Sequence, residues 1–144
     1  MSRYKKMSQT IWFCEYHIVW CPKYRYRILE GKIGEEVEHS IRAQSQQMSC
    51  EVVELNVQRD HVYLISLIPP KLSVSNYMGR TKGQSAIRVF SGFRDLRRKQ
   101  YWGNKFWSPG YCVGTVGLNE EQKLMVVLEI QLRVICLQLE TNLQ

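Results

Sequence analysis

The chain has 144 residues, 44% hydrophobic and 23% charged, which suits one globular domain and is too short for two ordinary ones. That balance excludes a disordered chain, and no apolar run approaches the roughly 18 residues needed to span a bilayer. Twenty Lys and Arg against thirteen Asp and Glu leave a net charge of +7 and a pI near 9.3, which favours an anionic partner.

Residues 11–21 (IWFCEYHIVWC) are rich in aromatic and β-branched side chains and predict a strand ending at Pro22. Residues 34–48 place Val37, Ile41 and Met48 at near-helical spacing, with Glu35, Glu36 and Glu38 in the first turns. Residues 50–57 (CEVVELNV) predict a second strand, 58–60 a short polar turn, and 61–68 (HVYLISLI) a third strand stopped by Pro69 and Pro70. So short a link makes strands two and three an antiparallel hairpin. Ser73 can cap a second helix to about Phe90, with Val74, Met78, Ile87 and Phe90 as its apolar contacts. A basic stretch at 94–105 precedes a strand at 111–116. The order β-α-β-β-α-β is the split βαβ, ferredoxin-like or RRM-like α+β pattern: an antiparallel sheet with helices on one face. Residues 128–134 (LEIQLRV) alternate with period two where that fold expects a closing helix.

Without repeats or linkers, residues 1–144 are taken as one domain. The five cysteines are odd in number and form no CxxC, so neither a zinc knuckle nor a redox pair is indicated. Scattered thiols fit a reducing cytosol. Arg3, Lys5 and Lys6 open the chain as a signal peptide would, but Glu15 and His17 interrupt the next apolar stretch and no small-residue cleavage site follows. A cytoplasmic protein without membrane attachment is expected.

At 22–27 (PKYRYR), Lys23, Arg25 and Arg27 alternate with Tyr24 and Tyr26. Cations neutralise phosphates and flat rings stack on unpaired bases, a mixture suited to single-stranded nucleic acid. Its ordinary alternative is a charged strand edge. Arg94, Arg97, Arg98, Lys99 and Lys105, interleaved with Tyr101, Trp102 and Trp107, repeat the theme. His61 and Tyr63 stand two apart on a strand and so share a face. Two histidines there could hold a divalent metal; a neutral phenol is a poor ligand. For His61 alone, a hydrogen-bonded structural role is the ordinary expectation, and His17 and His39 are read as structural. No GxSxG, GxxxxGK[ST] or GxGxxG occurs.

Four blocks, at 16–27 (YHIVWCPKYRYR), 59–75 (RDHVYLISLIPPKLSVS), 78–90 (MGRTKGQSAIRVF) and 102–121 (WGNKFWSPGYCVGTVGLNEE), closely resemble the single-tyrosine HUH-type transposases of small bacterial insertion sequences. The resemblance covers about residues 10–121 and leaves a divergent tail at 122–144. It implies a ferredoxin-like homodimer acting on single-stranded DNA hairpins. A helix tyrosine would attack a phosphodiester, with Mg2+ or Mn2+ held by two histidines and a glutamine. Lys82 and Arg88 in the third block and Lys105 in the fourth join Lys23, Tyr24, Arg25, Tyr26 and Arg27 as DNA-binding candidates.

The sequence departs from that pattern at its chemistry. His61 matches the first histidine, but Tyr63 stands at the second. The nucleophile's position is Val126, and no tyrosine follows Tyr111. The glutamine's position is Ile130; Gln131, next to it, would point about 100° away on a helix. The change after Glu121 looks like a reading-frame change. Two readings stand: a transposase by descent that is catalytically impaired, or a non-catalytic single-stranded DNA-binding protein derived from one. An RNA-binding module on the same fold is a remoter third.

Overall fold

The computed structural model describes residues 4–6, 10–23, 28–95, 105–115 and 125. The expected strand at 11–21 is two strands. β2 (Ile11–Trp12) pairs with β1 (Lys5–Lys6) in a small antiparallel ribbon, and β3 (Glu15–Trp20) enters the main sheet. Between them, the Cys14 carbonyl accepts from Ile68 N at 3.0 Å, so the chain changes ribbon without losing its contact with the sheet.

Helix α1 (Gly31–Gln47) begins three residues earlier than the acidic run predicts. Gly31 has φ 55°, a left-handed conformation open to glycine, and this turns the chain into the helix early. Glu35, Glu36 and Glu38 therefore fall beyond the first turn. Gly34 is required for a different reason: a Cβ there would lie 2.9 Å from the Leu29 carbonyl oxygen. Helix α2 (Val74–Gly92) starts as predicted, with Ser73 Oγ accepting from Asn76 N at 3.1 Å.

β4 (Glu51–Val57) and β5 (Val62–Leu67) form the expected hairpin, closed where Gln58 N donates to His61 O at 2.9 Å. β6 (Cys112–Gly114) completes a four-stranded sheet in the order β4-β5-β3-β6, with every neighbour antiparallel. This is the ferredoxin-like α+β arrangement, with the β1–β2 ribbon added.

Period two assigns the two faces of the sheet. Ile18 and Trp20 of β3 and Val62 and Leu64 of β5 are fully buried against Val37 and Ile41 of α1 and Tyr77, Met78 and Val89 of α2. A bulge at Val53 resets the phase of β4, so Val52, Leu55 and Val57 all join this core. Ile87, expected to be apolar contact, is 59% exposed. It stands nine residues past buried Met78, about 180° around the helix. The α2 stripe that packs is Tyr77, Met78, Thr81, Ser85, Val89 and Phe90. Cys14, Cys21, Cys50 and Cys112 are thiols rather than disulfides. Among the described residues, no helix is long and apolar enough to cross a membrane.

Candidate functional site

The opposite face of the sheet carries the candidate chemistry. There β3 presents Glu15, His17 and Val19, while β5 presents Tyr63, Ile65 and Leu67. Val19 lies directly opposite Tyr63, and His17 opposite Ile65, which puts His17 diagonal to the phenol. Val19, Tyr63 and Ile65 are buried together, with Cys112 of β6 packed against them.

His17 Nδ1 lies 2.7 Å from Tyr63 Oη, and His17 Nε2 lies 3.1 Å from Glu15 Oε1. The proton positions follow from the partners. An ionised carboxylate only accepts, so Nε2 carries a hydrogen; in the neutral ring Nδ1 then accepts, and Tyr63 donates. Tyr63, His17 and Glu15 thus form one hydrogen-bonded chain on a mostly apolar face. His17, read from sequence as structural, is the partner of the residue in the second histidine's place. The signal that could have found it is the alternation of Glu15, His17 and Val19 along one face. The pairing itself needs the β3–β5 register across 46 residues.

His61 sits just before β5, its Nδ1 2.9 Å from Asp60 Oδ1. In the neutral ring that contact puts the proton on Nδ1 and leaves the lone pair on Nε2, a form suited to ligation. One imidazole is not a site, however. Tyr63 is committed to His17, and among the described residues no three His, Cys, Asp or Glu side chains come together as a metal site. Among the described residues, His61 with Tyr63 does not complete a divalent-cation site. Gln131 and Val126 lie outside the described residues.

The DNA-binding candidates separate by location. Tyr24, Arg25, Tyr26 and Arg27 lie outside the described residues, as do residues 96–104 of the second basic stretch. Lys23 and Lys105, far apart in sequence, are brought to one place. Lys23 N donates to Phe106 O at 2.8 Å, Pro22 bridges Trp107, and Ser108 N donates to Cys21 O at 3.0 Å. This short two-stranded ribbon joins the ends of both basic-aromatic segments. Arg88 pairs with Glu36 of α1 at 2.8 Å. Lys82 donates to the carbonyls of Ser108 and Gly110, both at 2.9 Å, and its burial lowers its pKa from the ordinary lysine value.

Comparison with known proteins agrees with this architecture. The family described as "Transposase IS200 like" matches residues 10–129, eight residues past the end of the block at 102–121. The ISDra2 transposase TnpA of Deinococcus radiodurans is 32% identical over 127 residues, covering 88% of this chain and 90% of that protein. The transposase for insertion sequence element IS200 of Salmonella typhimurium is 38% identical over 119 residues, 83% of this chain and 78% of its own length. A crystal structure of a candidate transposase from Deinococcus radiodurans superposes with a TM-score of 0.79 at 31% identity, covering 88% of this chain and 97% of that one. A tyrosine transposase bound to a REP hairpin shares the fold at a TM-score of 0.54 and 16% identity, covering 88% of this chain and 68% of that one.

Sheet order and helix placement give an α+β domain of the type seen in the candidate transposase from Deinococcus radiodurans, with His61 just before β5 and Tyr63 on it. The chain belongs to the IS200-like transposase family.

Proposed function

We propose that this member of the family binds single-stranded DNA hairpins as a homodimer and does not cut them. The observation that carries the non-cleaving part is the Tyr63–His17 hydrogen bond of 2.7 Å. A phenol stands where the family resemblance calls for the second imidazole, and His17 and Glu15 hold it in another role. Val126, at the nucleophile's position, has no atom that can form a phosphodiester bond. Members of a catalytic unit fail together, so restoring one of them recovers little. Binding is supported separately by the +7 charge, by the joining of Lys23 and Lys105 on one ribbon, and by a fold shared with a transposase bound to a REP hairpin.

The test uses labelled hairpin oligonucleotides with Mg2+ or Mn2+, resolved on native and denaturing gels. Retarded complexes without a covalent adduct are expected. An adduct from the unaltered chain overturns the non-cleaving part, and Tyr63→Phe then asks which phenol formed it. Light scattering is expected to give about twice 17.0 kDa; a monomer mass refutes the dimer.

A further inference from the structure

Helix α2 and residues 107–110 share a polar cluster separate from the Glu15–His17–Tyr63 chain. Lys82, on the third turn of α2, reaches out of the helix to the segment after Lys105. Its ammonium donates to Ser108 O and Gly110 O, both at 2.9 Å. One turn on, Ser85 Oγ donates to the Lys82 carbonyl at 3.0 Å and accepts from Trp107 Nε1 at 2.9 Å. Ser108 Oγ in turn donates to Pro22 O at 2.9 Å. These bonds tie α2 to residues 107–110 and, through them, to residues 21–23.

Two of the three ammonium protons of Lys82 are therefore spent on carbonyls. A phosphate ligand works from a solvated site where its protons face the backbone of the nucleic acid; Lys82 is half-buried and faces the protein. The segment it holds is the ribbon that carries Lys23 and Lys105. We infer that Lys82 is a positioning residue for nucleic-acid binding: it makes no phosphate contact and fixes, together with Ser85 and Trp107, the ribbon from which the exposed Lys105 reaches out. This rests on the hairpin-binding reading, and its test separates the two.

Binding of a fluorescent single-stranded hairpin is measured by anisotropy from about 50 to about 200 mM salt, where each neutralised phosphate contributes about −0.7 to the slope of log K against log salt for single strands. Lys105→Ala, at an exposed position, is expected to flatten the slope by about 0.7. Lys82→Met is expected to weaken binding about tenfold at every salt concentration with an unchanged slope. Ser85→Ala alters no charge and should weaken binding in the same uniform way, so the inference stays testable if Lys82→Met does not fold. Amide hydrogen exchange supplies a readout that needs no DNA. In Ser85→Ala and Lys82→Met, the amides of Lys23 and Ser108 should exchange faster while those of β5 do not. A slope flattened by about 0.7 in Lys82→Met makes Lys82 a phosphate ligand and overturns the inference. Unchanged affinity or unchanged exchange overturns it equally. Absence of salt-dependent binding by the unaltered chain instead defeats the hairpin reading and the inference together.

Discussion

The two faces of the sheet bury side chains on different terms. The helix-facing side is a hydrocarbon core that satisfies some of its polar groups locally and leaves others, such as Trp20 Nε1, without a partner among the described residues. Ser45 Oγ donates to Ile41 O at 2.8 Å and accepts from Tyr77 Oη at 2.6 Å. The other face buries fewer apolar residues, Val19, Tyr63, Ile65 and Leu67, around the chain of Glu15, His17 and Tyr63. The first face owes its stability to packed volume, the second to a polar chain that must stay complete. A residue can therefore be well buried in this protein for either of two reasons, and the cost of replacing it tells which.

The largest effect should come from the helix-facing side. Trp20 is fully buried and meets Trp107 edge-on at 5.9 Å, so Trp20→Ala is expected to cost about 3–5 kcal/mol in denaturant unfolding. A loss under about 1 kcal/mol would mean this core is not closely packed. On the other face, Tyr63→Phe keeps the ring and removes the hydroxyl that donates to His17. That should cost about 1–2 kcal/mol, the penalty for a buried acceptor left without its partner. An equal cost for the two substitutions would erase the distinction between the faces.

Alkaline pH tests how dry the helix-facing core is. Burial pushes the Cys50 thiol up to about 11 from 9.0, and burial also raises the Tyr77 phenol. Both groups hold their protons more tightly folded than unfolded. The stability they contribute is complete below the unfolded values and falls as pH rises, for Cys50 between 9.0 and about 11. Chemical denaturation across that window should show the decline, and Cys50→Ala should make it shallower. An unchanged decline in the variant would assign it to other groups. The smallest effect belongs to Ser40 and Thr81, whose buried hydroxyls find no hydrogen-bond partner among the described residues. Ser40→Ala and Thr81→Val should change stability by less than about 1 kcal/mol, with the sign favouring the variant.

The helix-facing side was largely legible in the sequence, because its rule is periodicity. Strand alternation and the spacing of Val37, Ile41 and Met78 give the element order and most of the core. The failures came where backbone conformation outweighed pattern. Gly31 turns into α1 before the acidic run, and the chain steps out of β2 at Phe13. Ile87 looked apolar and near-periodic, yet it falls on the wrong side of α2. On the other face, His61 and Tyr63 were visible because they are two residues apart. His17 was not, since its role exists only once β3 and β5 are in register. Lys82 shows the same limit: its charge is written in the sequence, but its carbonyl partners are set by tertiary packing.

The bulge at Val53 bears on how copies of this domain behave at high concentration. β4 is an outer strand of the sheet, and an outer strand offers its unused backbone groups to any extended chain that can lie flush along it. Val53 is the extra residue there, half exposed and opposite no residue of β5. Deleting it would leave Val52, Leu55 and Val57 at strict two-residue spacing on the core face, so the fold would lose nothing it packs with. The deletion would also straighten the edge. The bulge at Val53 thus keeps one border of the sheet from presenting a regular edge to an incoming strand.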